Sequence, residues 1–463
     1  MSTPRLRLCL LALVDFNAVN PVASAQPCEP RWDATPGTPG VTSGYIGPIF
    51  AWDDGAGKRL YVGGSAESIG GTGINFLARY NPATNTFSRL GAGISGGNTN
   101  AFITSMTPFN PATPGAGEEL FVGGFFASAG GVMGTRSIAS WNGTRWAGLA
   151  TNWTTARPDA VWAMKVWNNV LYVGGGFPDV GGVASPGLAA WDGESWQSVN
   201  TGAFTGFSPA VFALEVFDDG TGPALYVGGR FDSIGPLTPG LLARWNGSSW
   251  SRVGNNLAPA NFLSDVSAMT IFDDGTGAAL YVGGSNFLVD GVATSTAKWN
   301  GQTWTRVGGD NLGGRTTTFA VWDDGSGPAL YAGGTAQPGI AYVYRLENGV
   351  WQTVAGGFAS QPGVPPSSFA SVFGMGVLDD RLYIGGNFVQ LNQGGLGARG
   401  LVARVGCPPC AADFNRDGQA DLFDYLDFVA AFAAEEPRAD FNASGQVDLF
   451  DYLDFAAAFA SGC

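Results

Sequence analysis

One five-residue phrase, Leu-aromatic-aliphatic-Gly-Gly, occurs seven times along this chain of 463 residues. The copies are Leu60–Gly64, Leu120–Gly124, Leu171–Gly175, Leu225–Gly229, Leu280–Gly284, Leu330–Gly334 and Leu382–Gly386. Their aromatic residues are separated by 60, 51, 54, 55, 50 and 52 residues. A sequence that repeats a unit of about 50 residues builds a stack or ring of identical supersecondary units, because no single unit can bury its own apolar face. Length therefore sets no limit of one ordinary core.

Each unit divides into four strands. In the third copy Val161–Trp167 alternates, Asn168-Asn169 turns, Leu171–Val173 follows, Leu188–Trp191 is the third strand and Ser195–Val199 the fourth. Trp141-Asn142-Gly143, Trp191-Asp192-Gly193, Trp245-Asn246-Gly247 and Trp299-Asn300-Gly301 mark the last hairpin, where Asn-Gly or Asp-Gly supplies the positive φ of a tight turn. Four short strands per unit, in series, are expected to form the blades of a β-propeller. The seventh unit supplies only Ser371–Val377, Leu382–Ile384 and Leu401–Val405, and an orphan Pro30-Arg31-Trp32-Asp33 stands near the N-terminus. The orphan is expected to complete the seventh blade and close the ring, giving a monomeric propeller over residues 26–406.

The Gly pair after the aromatic residue, the later Trp or Tyr and the Trp about six residues on resemble the Kelch-type propellers, over roughly residues 30 to 406. The second glycine-rich loop is longer here and the intervening charges differ. The resemblance implies a fold and no fixed function. Fourteen of the fifteen Trp occupy repeat positions and read as blade packing. Trp153 is the exception. It lies with Arg157 in a connector between blades, where ligands of such rings bind. Asn255, Asn256, Asp310 and Arg315 are further connector candidates for a carbohydrate ligand. The Asp-Asp-Gly runs beginning at Asp53, Asp218, Asp273 and Asp323 read as turn chemistry.

The chain has no His, which removes the usual general base and the usual copper or zinc ligand. The net charge is −14, of which residues 407–463 carry −9 from eleven acids against Arg416 and Arg438. No basic patch stands out, which argues against nucleic acid as a partner. At the N-terminus Arg5, Arg7, the apolar Leu8–Val14 and Ala23-Ser24-Ala25 form a secretory signal pattern, so residues 1–25 are expected to be removed and the protein to be secreted or held at the cell surface. Four cysteines then remain, Cys28, Cys407, Cys410 and Cys463, as candidates for two disulfides, with ring closure placing Cys28 near Cys407 and Cys410.

The tail repeats itself. Asp413, Asn415, Asp417, Gln419, Asp421 and Asp424 align 27 residues on with Asp440, Asn442, Ser444, Gln446, Asp448 and Asp451, and Gly418 with Gly445. Oxygens at positions 1, 3, 5, 9 and 12, a carbonyl at 7 and Gly at 6 follow the order of an EF-hand calcium loop. Each loop precedes an apolar helix beginning Tyr-Leu-Asp-Phe, and the two helices are expected to pack together. Loop-helix pairs with Asp at position 12 resemble type I dockerin modules, and the final Gly462-Cys463 resembles GC-type dockerin-like tails. That resemblance covers residues 407–463 and implies Ca2+ and a cohesin-like or other cell-surface protein partner. Positions 10 and 11, which contact cohesin in that family, are Leu422-Phe423 and Leu449-Phe450 in place of the commoner Ser-Thr. Either the partner differs or these residues pack internally. Loop one, with four carboxylates to loop two's three, is expected to bind calcium more tightly. The expected whole is a non-catalytic secreted recognition propeller with a calcium-dependent attachment tail; a glycan-active enzyme or a structural surface protein are the alternatives.

Overall fold

The structure is a computed structural model that describes residues 30–97, 100–111, 117–149, 153, 160–199, 202, 204–238, 240–308, 314–335, 340–354, 357–359, 370–391, 397–407, 412–414, 422–442 and 444–461. They fall into two compact units. One comprises Arg31–Asp324 and Pro328–Gly406, and the other includes Cys407–Cys463.

The first unit is a ring of seven antiparallel blades, six of four strands and the fifth with Leu257–Pro259 added to its four. In the third blade the strands are Val161–Trp167, Val170–Gly175, Leu188–Trp191 and Trp196–Ser198, within two residues of the sequence expectation. The first strand of each blade lies innermost, against the first strands of both neighbours, and Ile46–Asp53 of blade one touches Val372–Leu378 of blade seven. The N-terminal strand Arg31–Asp33 pairs with Leu401–Val405 as the outer strand of that seventh blade, Trp32 opposite Arg404. Arg381 of the same blade reaches Asp33 at 2.7 Å, and the Arg404 guanidinium lies 5.2 Å over the Trp32 ring. Chain ends from opposite sides of the repeat thus share one sheet.

The glycine pair is the contact that holds the blades together. A Cβ on the first glycine would meet a side chain of the next blade: Val161 from Gly123 at 2.6 Å, Val211 from Gly174 at 2.5 Å, Val266 from Gly228 at 2.7 Å, and, across the closure, Ile46 from Gly385 at 2.7 Å. A Cβ on the second would strike a carbonyl oxygen of its own inner strand, Ala210 O from Gly229 at 2.1 Å and Asp265 O from Gly284 at 2.0 Å. The repeated phrase is therefore set by close backbone approach. Seven apolar clusters result, each straddling two adjacent blades, from Trp52 with Trp141 and Trp146 round to Ile46 with Tyr383 and Leu401.

Most tryptophans serve this packing. Trp141–Trp146, Trp191–Trp196 and Trp245–Trp250 pair with ring centroids 5.1 Å apart. The outer member donates its indole N–H to the preceding blade, Trp146 to Leu90 O at 3.0 Å and Trp196 to Leu149 O at 2.8 Å. The turn between them differs from the expected tight hairpin. Trp141 pairs with Trp146 across four loop residues. Only Gly143 has positive φ, at 94°, while the Asn142 side chain accepts from the N–H groups of Thr144 and Arg145. Asn142 thus acts as an Asx cap. Two-residue turns with both φ positive occur at Asn168-Asn169 and, in the last hairpin of blade six, at Asn348-Gly349.

The Asp-Asp-Gly runs divide two tasks. The first Asp makes the turn: Asp53 accepts from the N–H of Gly55 and Gly57, and Asp218 and Asp273 do the same in their copies. The second reaches inward to the Tyr of the glycine-pair phrase. Tyr61 donates to Asp54 at 3.0 Å, Tyr226 to Asp219 at 2.8 Å, Tyr281 to Asp274 at 2.8 Å and Tyr331 to Asp324 at 2.9 Å. A cation from the third strand joins each, namely Arg79, Arg244, Lys298 and Arg345. Burial raises these carboxyls, but the hydrogen bonds and cations at Asp54, Asp219 and Asp274 outweigh it and hold all three below the ordinary carboxylate range. A carboxyl lowered in the folded state stabilises fully above its unfolded value, about pH 4, and that stability is lost as pH falls through the lower folded value. The melting temperature is expected to drop by roughly 5 °C between pH 5 and pH 2, and Asp274→Asn should flatten this dependence. A wild-type slope retained in the variant would count against the assignment.

In the second unit α1 spans Leu422–Ala433 and α2 spans Leu449–Ser461. Residues 27 apart meet across a local pseudo-two-fold. The rings of Phe428 and Phe455 stack with centroids 3.9 Å apart, the Tyr425 and Tyr452 hydroxyls lie 2.8 Å apart, and Asp424 and Asp451 are both fully buried. The expected helix pairing is present.

Candidate functional site: the channel mouth and the tail loops

Each inner strand carries a β-bulge where it faces the glycine pair. The pairing skips one residue at Thr104, Trp162, Phe212, Ser267, Thr317 and Phe373, and within Gly47-Pro48 of blade one. A bulge places two residues opposite one and re-aims the extra side chain. All of these residues line one cavity of about 750 Å3. That volume falls in the range of small-ligand sites, roughly 300–1,000 Å3. The repeat thus holds a constant frame, and its seven bulges present seven chosen side chains.

The lining has an apolar and a polar sector. Phe102 stacks on Phe125 at 5.2 Å and tilts toward Trp162 at 5.6 Å, and Trp162 meets Phe212 edge-on at 5.8 Å. Tyr45 packs on Phe373 at 4.6 Å, and burial raises its hydroxyl, so it stays neutral through physiological pH. The polar sector holds Arg230, Asp265, Ser267, Arg315 and Thr317. Arg315 Nη2 lies 3.1 Å from Asp265 Oδ2, while Asp265 Oδ1 is buried and accepts no hydrogen bond from the described residues. Burial raises the Asp265 carboxyl against the pull of the Arg315 and Arg230 charges. The bulge hydroxyls link neighbouring blades. Thr104 donates to Val161 O, Ser267 to Thr316 O at 3.0 Å and Thr317 to Val372 O.

Of the connector candidates, Arg315 lines this cavity. Trp153 is half-buried, donates to Arg136 O at 3.0 Å and packs edge-on against Phe177 at 5.3 Å. Asn255 is exposed, Asn256 is tied to Asp290 at 3.0 Å, and neither lines the cavity. Arg157 and Asp310 lie outside the described residues. Sequence reading passed over Trp162, Phe212 and Arg230. Trp162 sits in an alternating strand where it reads as packing. Its signal was variation within a constant frame, since the corresponding position in other copies is Thr, Ser or Phe.

In the tail, all six ligand positions of loop two are described. Asp440 accepts from the N–H of Ser444 at 2.8 Å and Gly445 at 2.7 Å. The Asn442 side-chain oxygen shares the Ser444 N–H at 3.0 Å, and Ser444 Oγ lies 3.2 Å from Gln446 O. Gly445 takes φ of 86° at the bend. Asp451 closes the loop, accepting from Asn442 N–H at 3.0 Å and Asp448 N–H at 2.8 Å. The Asp448 and Asn442 N–H groups hold its carboxyl below the ordinary range. Asp448 caps α2 through the Phe450 N–H at 2.8 Å. Among the described residues no three acidic side chains converge as a ready metal cluster. The donor set is nevertheless all oxygen, which suits a hard cation. In loop one Asp413 and Asp424 are described, and Asn415, Asp417, Gln419 and Asp421 lie outside the described residues. So do Cys28, Cys410 and Cys463, and with them the disulfide pairing. Leu422, Phe423, Leu449 and Phe450 are 54–67% exposed.

No helix among the described residues is long and apolar enough to cross a membrane. No family model matches the chain, and no curated protein matches it. Among solved structures it is similar to a computationally designed protein, Ika8, at 11% identity and a TM-score of 0.40, over 79% of this chain and 98% of that one. At that score the likeness carries no argument, and the seven blades rest on the strand pairing described above.

Proposed function

We propose that this protein is a secreted recognition propeller that binds a glycan at the mouth of its channel and is attached elsewhere through a calcium-binding, dockerin-like tail. The observation that carries the reading is the ring of bulge residues. A Kelch-like frame repeats its packing residues, yet the re-aimed position changes round the ring, from Gly-Pro through Thr104, Trp162, Phe212, Ser267 and Thr317 to Phe373, so aromatic, hydroxyl and guanidinium groups share one lining. Aromatic faces and fixed polar groups are what a sugar ring, apolar on its faces and polar at its rim, requires. A glycosidase needs two carboxyls across the scissile bond, and the described lining holds one, Asp265, so binding is favoured over cleavage.

The calcium reading rests on the duplicated ligand order and on loop two, where Asp440 gathers the N–H groups of positions 5 and 6. Asp440, Asn442, Ser444, the Gln446 carbonyl, Asp448 and Asp451 would hold the ion, which supplies charge to cross-link the loop; Asp413 to Asp424 would do the same in loop one. The exposed apolar pairs at positions 10 and 11 support a partner surface more apolar than one that meets Ser-Thr.

A glycan array run beside a reducing-sugar release assay tests the propeller. Binding without release is expected, and Trp162→Ala should weaken it about thirtyfold, roughly 2 kcal/mol. Affinity unchanged in that variant would remove the channel mouth as the site.

A further inference from the structure

Resting on that glycan reading, we propose that the channel mouth selects an acidic oligosaccharide, with the carboxylate or sulfate of the sugar held between Arg230 and Arg315. The charged residues of the described lining are these two arginines and Asp265, a balance of +1 within a chain of net charge −14. A cleft of one sign among low-dielectric walls focuses its field on an entering ion.

The two guanidinium groups are held in place with donors unspent. The Arg230 guanidinium carbon lies 5.5 Å from the Phe212 ring centroid, and its one side-chain hydrogen bond among the described residues, from Nε to Ser208 O, is long at 3.4 Å. Its terminal nitrogens are free to meet a ligand. Arg315 spends Nη2 on Asp265 at 3.1 Å and Nε on Ser267 Oγ at 3.4 Å, and its side chain is still 41% exposed. Asp265 is buried at 3% exposure, so it fixes Arg315 from beneath and leaves the open side to the ligand. Both guanidinium-bearing residues line the same cavity as Asp265. A guanidinium fork matches a carboxylate or sulfate in two parallel hydrogen bonds, where an ammonium would meet it as a point charge. Next to them, Trp162 and Phe212 offer ring surface to the C–H face of the same sugar. An anion beside an apolar face is the signature of an acidic sugar.

The test measures binding of the full chain, by calorimetry, to alginate and polygalacturonate fragments, to carrageenan fragments, and to their carboxyl-reduced or desulfated counterparts. At least one acidic series should bind tenfold or more tightly than its neutral counterpart, and which one does separates carboxylate from sulfate. Arg230→Gln should bring the acidic ligand down to the affinity that the same variant shows for the neutral one, and Arg230→Lys should keep part of the preference. A thermal melt matching wild type shows that the variants fold, as the half-buried Arg230 leads one to expect. Equal affinity for acidic and neutral forms overturns the proposal and leaves the glycan reading standing. An acid preference that survives Arg230→Gln overturns it too. Absence of binding to every glycan, charged or neutral, overturns both.

Discussion

Gly229→Ala is expected to destabilise the propeller by about 3 kcal/mol or more. The added Cβ would lie 2.1 Å from Ala210 O and 3.0 Å from Val211 Cα, both backbone of the adjoining inner strand. No rotamer change relieves a clash with backbone, so the two innermost strands of blade four must part. That disturbs the bulge at Phe212, which the same strand carries into the channel. The effect should therefore reach the ligand site as well as the melting temperature. Gly73→Ala is the control, because a Cβ there meets nothing within 4 Å. The measurement is the urea midpoint of both variants. Equal midpoints would mean that the glycine pair is not the packing constraint the ring requires.

The second large effect concerns the tail. On the calcium proposal, chelation is expected to raise amide exchange across α1 and α2 by roughly 100-fold, the linkage expected when calcium had stood about 100 times above its dissociation constant. The inner strands of the propeller should be unaffected. Asp451→Ala should reproduce the loss in α2 with calcium present, since the buried carboxyl ties Asn442 N–H to Asp448 N–H. Peptide-resolved hydrogen exchange on the full chain reads both. Protection of α2 that is indifferent to chelator would sink the calcium assignment for loop two. Protection lost with chelator but kept in Asp451→Ala would leave calcium and remove Asp451 from the closure.

Much of this molecule was legible because repetition exposes roles. The orphan Trp32 could be matched to the outer strand of a blade, and it pairs with Arg404 as that match requires. The first Asp of the Asp-Asp-Gly runs reads as a turn residue and is one at Asp53, Asp218 and Asp273. Its neighbour's bond to the Tyr was not legible, because seven residues separate them and the bond forms only when the hairpin folds the two strands together. Trp153 stood out by falling off the repeat, and in the fold it donates to Arg136 O and packs against Phe177.

The sequence alone determined the number of blades, the strand that closes them, the use of most Trp as packing and the duplicated oxygen order of the tail. Each follows from a local pattern repeated at a fixed interval, and locality is what a sequence displays. The tertiary structure decided which side chains share the channel mouth. Thr104, Trp162, Phe212, Ser267, Thr317 and Phe373 lie in different blades, some fifty residues apart from one to the next. A bulge in each inner strand turns them out of the alternation by which strand residues are ordinarily assigned a face. Only closure of the ring brings Arg230, Asp265 and Arg315 from three successive blades to one cavity.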